Sequence, residues 1–176
     1  MLKLIAAVVV LAVVIILILA ATKPATFHVE RSIAIAASPE KIAAFVTDFH
    51  RWDAWSPWAK LDPAMQVTYS GPDSGTGSIY HWKGNSKVGE GEMEILSATP
   101  EKTDIRLDFI KPFEGKNTAT FYYSGLPAGP TTVRWTMDGP SSFMTKLMMV
   151  FTSMDKMVGP DFDRGLTNLK SAAEHP

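Results

Sequence analysis

Asp104-Ile105-Arg106-Leu107-Asp108-Phe109 alternates charged and apolar residues without a fault. Successive side chains of a strand point to opposite faces, so this hexapeptide puts Ile105, Leu107 and Phe109 on one side and charges on the other. Such a pattern belongs to a sheet with one packed face and one wet face, as antiparallel sheets have. Working outward, the same two-residue period recurs. Glu90, Glu92 and Glu94 oppose Gly91, Met93 and Ile95, and Ser78, Tyr80 and Trp82 oppose Ile79, His81 and Lys83. Val67 and Tyr69 follow Met65, while Thr118–Tyr123 and Thr132–Met137 lie downstream. Gly71-Pro72-Asp73-Ser74-Gly75, Gly84-Asn85 and Pro127-Ala128-Gly129-Pro130 supply turns between them. On the near side, Val29, Ile33 and Ile35 make one more strand out of 27–36.

Two helical regions flank this sheet. Ser38-Pro39-Glu40 is a helix start, because serine caps free N–H groups, proline fits the first turn and the acid suits the positive dipole end. Ile42, Phe45 and Val46 give that helix its apolar stripe. Phe49–Trp55 is expected as a second short helix, ended by Ser56-Pro57. After the last strand the period changes to three and four residues. Phe143, Leu147, Val150, Met154, Met157, Leu166 and Leu169 predict one long helix, kinked or restarted at Gly159-Pro160 with Asp161 near the new N-terminus. A curved antiparallel sheet gripping that helix buries both apolar surfaces, an α+β arrangement.

The N-terminus is of another kind. Every residue from Leu4 to Ala21 is apolar, between Lys3 and Lys23. Eighteen residues make about 27 Å of helix, near the thickness of a hydrocarbon core. The expectation is an uncleaved, single-pass membrane anchor over residues 1–25, with one domain over 26–176. A cleaved signal peptide is the rival, but its apolar run is shorter and ends in a small-x-small site. With the short leading tail in the cytoplasm, the domain stands on the outer, periplasmic side of the inner membrane.

Composition removes several function classes. There are 17 basic and 18 acidic residues and no cysteine. Without a basic excess there is no footprint for nucleic acid. Without cysteine there is neither a thiolate zinc site nor a thiol nucleophile. His28, His50, His81 and His175 stand at no metal-ligand spacing, and nothing calls for a cofactor. His50 lies near Asp48 and Asp53, an arrangement open to acid–base use and equally to a solvated helix end.

Ser38-Pro39-Glu40-Lys41-Ile42 through Asp48, then Trp52 and Trp55-Ser56-Pro57-Trp58, resembles the opening of polyketide-cyclase-like proteins of the START-type (SRPBCC) helix-grip superfamily. Gly75-Thr76-Gly77 before Tyr80-His81-Trp82-Lys83-Gly84, Gly89-Glu90-Gly91, Thr132-Val133-Arg134-Trp135 and Phe162-Asp163-Arg164-Gly165-Leu166 are similar to its later elements. The resemblance implies an internal cavity between sheet and terminal helix, and a small hydrophobic ligand within it. It does not imply one reaction, because the superfamily includes carriers, sensors and cyclases. Trp52, Trp55, Tyr80, Trp82, Phe109, Phe121, Trp135, Met144, Leu147 and Phe151 are the candidate ligand-binding residues. Each is equally an ordinary core residue, since a ligand pocket is itself mostly apolar. Three functions follow: binding or transport of a lipid-like or polyketide-like molecule at a membrane, a cyclase or dehydratase in the same cavity, or a ligand-free tethered module. No catalytic constellation is identifiable.

Overall fold

In the computed structural model, which describes residues 1–125 and 129–175, α1 (Leu2–Ala21) leads into an antiparallel sheet. Its strands are β1 (Thr26–Ile35), β2 (Gln66–Ser70), β3 (Ile79–Lys83), β4 (Glu90–Ala98), β5 (Lys102–Lys111), β6 (Gly115–Gly125) and β7 (Thr131–Pro140). They lie side by side in the order β1-β7-β6-β5-β4-β3-β2. Only β1 pairs out of sequence: it closes onto β7, Val29 opposite Met137 and Arg31 opposite Trp135. Helix α2 (Pro39–Val46) and a 3-10 turn over Phe49–Ala54 fill the connection from β1 to β2. The expected turn at Pro127 and Ala128 falls outside the described residues.

The alternation expected for β5 holds. Ile105 is buried on the inner face, and Leu107 and Phe109 pack half-buried against the core. On the outer face Arg106 sits among Glu92 at 2.8 Å, Glu94 at 3.0 Å and Asp108 at 3.2 Å. That face is wet but ordered. A guanidinium between three carboxylates on adjacent strands keeps like charges from facing one another unscreened.

The N-terminal cap of α2 forms as expected, Lys41 N–H donating to Ser38 Oγ at 3.3 Å. The C-terminal region differs from expectation. The apolar run after β7 is two helices, α3 (Phe143–Met148) and α4 (Met154–Glu174). The break lies over Met149–Ser153, and α4 continues through Pro160. Serine decides both starts: Ser142 Oγ accepts from Thr145 N–H and Ser153 Oγ from Lys156 N–H, each at 3.2 Å. A serine that caps a new helix competes with continuing the old one. Pro160 stands on the exposed side of α4, where one missing backbone bond is tolerated.

Helix α4 buries Phe162, Gly165, Leu166, Leu169 and Ala173 against the inner face, chiefly along β1. An ionic clamp holds it there. Arg31 is the one charged residue among Val29, Ile33 and Ile35 on the inner face of β1. It donates to Asp155 at 2.6 Å and Asp163 at 3.1 Å, one helix side on either hand of Gly159. A Cβ at Gly159 would run into the guanidinium, so the glycine admits the clamp. The guanidinium holds the Asp155 carboxyl below the usual carboxylate range.

Candidate functional site

The inner face of the sheet carries an aromatic array that two covering elements close. Trp135 of β7 stands opposite Phe121 of β6 and stacks on it at 4.8 Å. Its other face stacks on Phe162 of α4, 3.9 Å away and nearly parallel. Trp55 and Trp58, from the segment after α2, meet its edge at 5.7 and 5.9 Å in T-shaped contacts. Such offset and edge-to-face pairs add about 0.5–1.5 kcal/mol each beyond area burial. Trp135 is therefore enclosed by four aromatic side chains and is 3% exposed.

Backbone carbonyls fix the covering segment. Trp52 Nε1–H donates to Val46 O at 3.0 Å and Trp55 Nε1–H to Phe45 O at 3.1 Å. Asn168 of α4 donates to Trp55 O at 3.1 Å and so joins the two covers. Further along the sheet Tyr80 and Trp82 are tilted 6.0 Å apart, and Phe109 meets Trp82 edge-on at 5.9 Å. Trp82 Nε1–H donates to Val88 O at 2.9 Å. Burial pushes the Tyr80 hydroxyl up to about 12, so it stays protonated and neutral.

Among the described residues, one fully buried polar atom of this array has no partner. The indole N–H of Trp135 is buried and makes no hydrogen bond. The indole N–H groups of Trp52, Trp55 and Trp82 all reach a carbonyl. A buried donor left unpaired costs about 1–3 kcal/mol, so one standing alone marks a place that an acceptor can fill.

Of the ten residues singled out from sequence, the structure joins seven: Trp52, Trp55, Tyr80, Trp82, Phe109, Phe121 and Trp135 belong to the core or pack on it. Met144, Leu147 and Phe151 are not brought to this array. They lie on or just past α3, none packs on the core, and Phe151 is 73% exposed. Between sheet and α4 the rings of Trp55, Trp58, Trp135 and Phe162 meet one another. Open depressions mark the surface of the described residues. One, of about 390 Å³, runs beside the aromatic array along Pro57, Asp163, Arg164, Thr167 and Asn168. Another, of about 560 Å³, follows the edge where Thr26–His28 meets Asp138–Pro140.

Sequence reasoning missed Phe162 as a wall of the array and Arg31 as a clamp. The signal for Phe162 was its place four and seven residues before Leu166 and Leu169. For Arg31 it was a charge at an apolar position of an alternating strand. His50 Nδ1–H donates to Asp48 Oδ1 at 3.1 Å and the ring stacks on Tyr69 at 4.0 Å, at the exposed margin of the tryptophan segment. Buried Asp62 is engaged by backbone N–H groups of Ala64 and Asn85, at 3.0 and 2.7 Å. Among the described residues no three His, Asp or Glu side chains converge on a point fit for a metal ion.

The sequence model of the family described as polyketide cyclase / dehydrase and lipid transport matches residues 26–174. The chain belongs to that family. No curated protein is similar enough to count as a match. Solved structures carry the same fold at low identity. Norcoclaurine synthase from Thalictrum flavum, in complex with dopamine and hydroxybenzaldehyde, is similar with a TM-score of 0.63 and 11% identity, over 90% of this chain and 92% of that one. The Aha1 dimer from Colwellia psychrerythraea gives 0.56 and 21% identity, over 85% and 97%. The di-domain ARO/CYC protein BexL gives 0.60 and 14% identity, over 90% of this chain and 53% of its own length. This polyketide cyclase-like member of the family has, ahead of the shared fold, one helix long and apolar enough to cross a membrane.

Proposed function

We propose that the chain is a membrane-anchored carrier or sensor that takes a small hydrophobic ligand, lipid-like or polyketide-like, against the aromatic inner face of its sheet. The observation that carries this reading is the unpartnered indole N–H of Trp135 inside an otherwise apolar, four-ring enclosure. An apolar site with one placed donor is how a ligand pocket fixes orientation. Family membership supports the reading, and so does α1, which would tether the domain where hydrophobic molecules reside. Residues 1–25 are then anchor and linker, 26–176 the binding domain, and the domain stands on the outer side of the inner membrane. The ligand enters beside Pro57, by displacement of the Trp55–Trp58 segment from α4. Trp52, Trp55, Tyr80, Trp82, Phe109, Phe121 and Trp135 are its contacts.

The test is titration of the full-length chain in nanodiscs with cis-parinaric acid, read through the probe's own emission with empty discs subtracted. Saturable binding is expected, weakened roughly 3–10-fold by Trp135→Phe, which keeps a ring and removes the donor. No saturable binding of this probe or of a lipid and terpenoid panel would leave a tethered interaction module as the better description. A cyclase or dehydratase is the second reading, favoured by the Asp48–His50 pair at the margin of the same segment. Under it, His50→Ala would retain ligand and lose turnover.

A further inference from the structure

We infer that α3 and the residues just after it form a second membrane contact, lying in the headgroup–acyl boundary beside the point where α1 leaves the bilayer. This rests on the anchor reading of α1. Of the nine residues from Phe143 to Phe151, seven are apolar and one, Lys146, is charged. Helix α3 buries none of its residues in the domain. Phe143 is 61% exposed and Phe151 73%. Among the described residues, the main packing partner of α3 is α1. Helix α1 is in turn apolar on all sides, with only Ala20 buried.

The chain path forces this neighbourhood. From Ala21 to Thr26 is five peptide units, at most about 18 Å. Thr26 pairs with Pro140, the last residue of β7, and Ser141 N–H donates to Ala25 O at 2.7 Å. Two residues later α3 begins. Whatever medium covers the C-terminal end of α1 therefore reaches α3 as well. If that medium is a bilayer, the apolar residues of α3 enter it by about 5–10 Å, and Lys146 serves the anionic headgroups. The same end of the sheet carries the β5–β6 turn, where Ile110 and Phe113 are exposed, since Phe109 pairs with Gly115 and Thr118 with Asp138. Two attachments instead of one would hold the domain at a set angle to the membrane rather than let it swing on a linker.

The chain has no cysteine, so a single introduced thiol reports one place. Full-length Phe151→Cys, Phe143→Cys, Leu11→Cys and Thr132→Cys variants carry an environment-sensitive NBD label in phosphatidylcholine–phosphatidylglycerol vesicles. Leu11 reports the anchor, and Thr132 the opposite end of β7. Near-UV circular dichroism verifies that each variant is folded. The expected result is blue-shifted emission at 143 and 151, quenched by lipid with a shallow acyl nitroxide and several-fold less open to iodide than at 132. Lipid quenching at 11 with free iodide access at 143 and 151 overturns the proposal and leaves the anchor standing. Absence of lipid quenching at 11 defeats the anchor reading and this inference with it. Labels at 143 and 151 shielded from both quenchers would mean a protein partner covers α3, which also overturns it.

Discussion

Helices α3 and α4 both follow β7, each starts from a serine cap and each carries apolar residues at helical spacing, yet they do opposite things. Helix α4 presents Phe162, Leu166 and Leu169 to the sheet and buries all three. Helix α3 presents Phe143 and Leu147 at the same four-residue spacing and buries neither. The difference is what lies opposite. Helix α4 lies along β1, and Arg31 locks it there through two carboxylates. The apolar residues of α3 pack instead on α1 and meet whatever surrounds α1. An apolar stripe states only that a surface avoids water; the alternative is either the domain's own core or another solvent.

The largest expected effect tests the closed side of that comparison. Phe162→Ala removes a ring stacked on Trp135 and should cost about 3–5 kcal/mol in denaturant melts of the full-length protein. A loss below about 1 kcal/mol would mean that α4 is loosely seated and the contrast with α3 is one of degree.

Removing the clamp comes next. Arg31→Ala should cost about 1–2 kcal/mol, since two charge-assisted bonds go but both carboxylates remain open to water. The clamp has a pH signature. The Asp155 carboxyl is held below its ordinary value of about 4, so its contribution is complete above that value and is lost as pH falls through the lower, folded one. Wild type should therefore lose stability relative to Arg31→Ala below about pH 4 and keep its full margin at neutrality. Parallel curves across that range would remove the clamp from the account.

A smaller effect is expected on the wet face. Arg106→Ala should cost about 0.5–1 kcal/mol, more than a bare surface position, because Glu92, Glu94 and Asp108 are left facing one another. Raising the salt concentration should shrink that cost by screening them. Neighbouring Ile105→Ala, on the packed face, should cost about 2–5 kcal/mol.

The smallest effect belongs to α3. Phe151→Ser should change the melt by less than about 0.5 kcal/mol, as befits a side chain the domain does not use. A cost near that of Phe162→Ala would show that Phe151 is packed into the domain as Phe162 is.

What the sequence determined by itself was everything written in local periodicity. The two-residue alternation around Ile105, the serine–proline start of α2 and the uncharged run from Leu4 to Ala21 are each legible because one residue's role depends on near neighbours. Strand faces followed, and with them seven of the ten candidate residues gathered on the core. The partition of the last apolar run was not legible. Phe143 and Phe162 look alike in a stripe, and which one meets the sheet depends on which helix the closed β1–β7 pair and Arg31 hold against it. Arg31 was opaque for the same reason: its carboxylates lie more than a hundred residues away, on a helix that only the assembled sheet places over β1. The aromatic enclosure of Trp135, with its single unpartnered N–H, is likewise a property of four elements meeting. Hydrogen-bond satisfaction is counted in space, and no spacing along the chain records it.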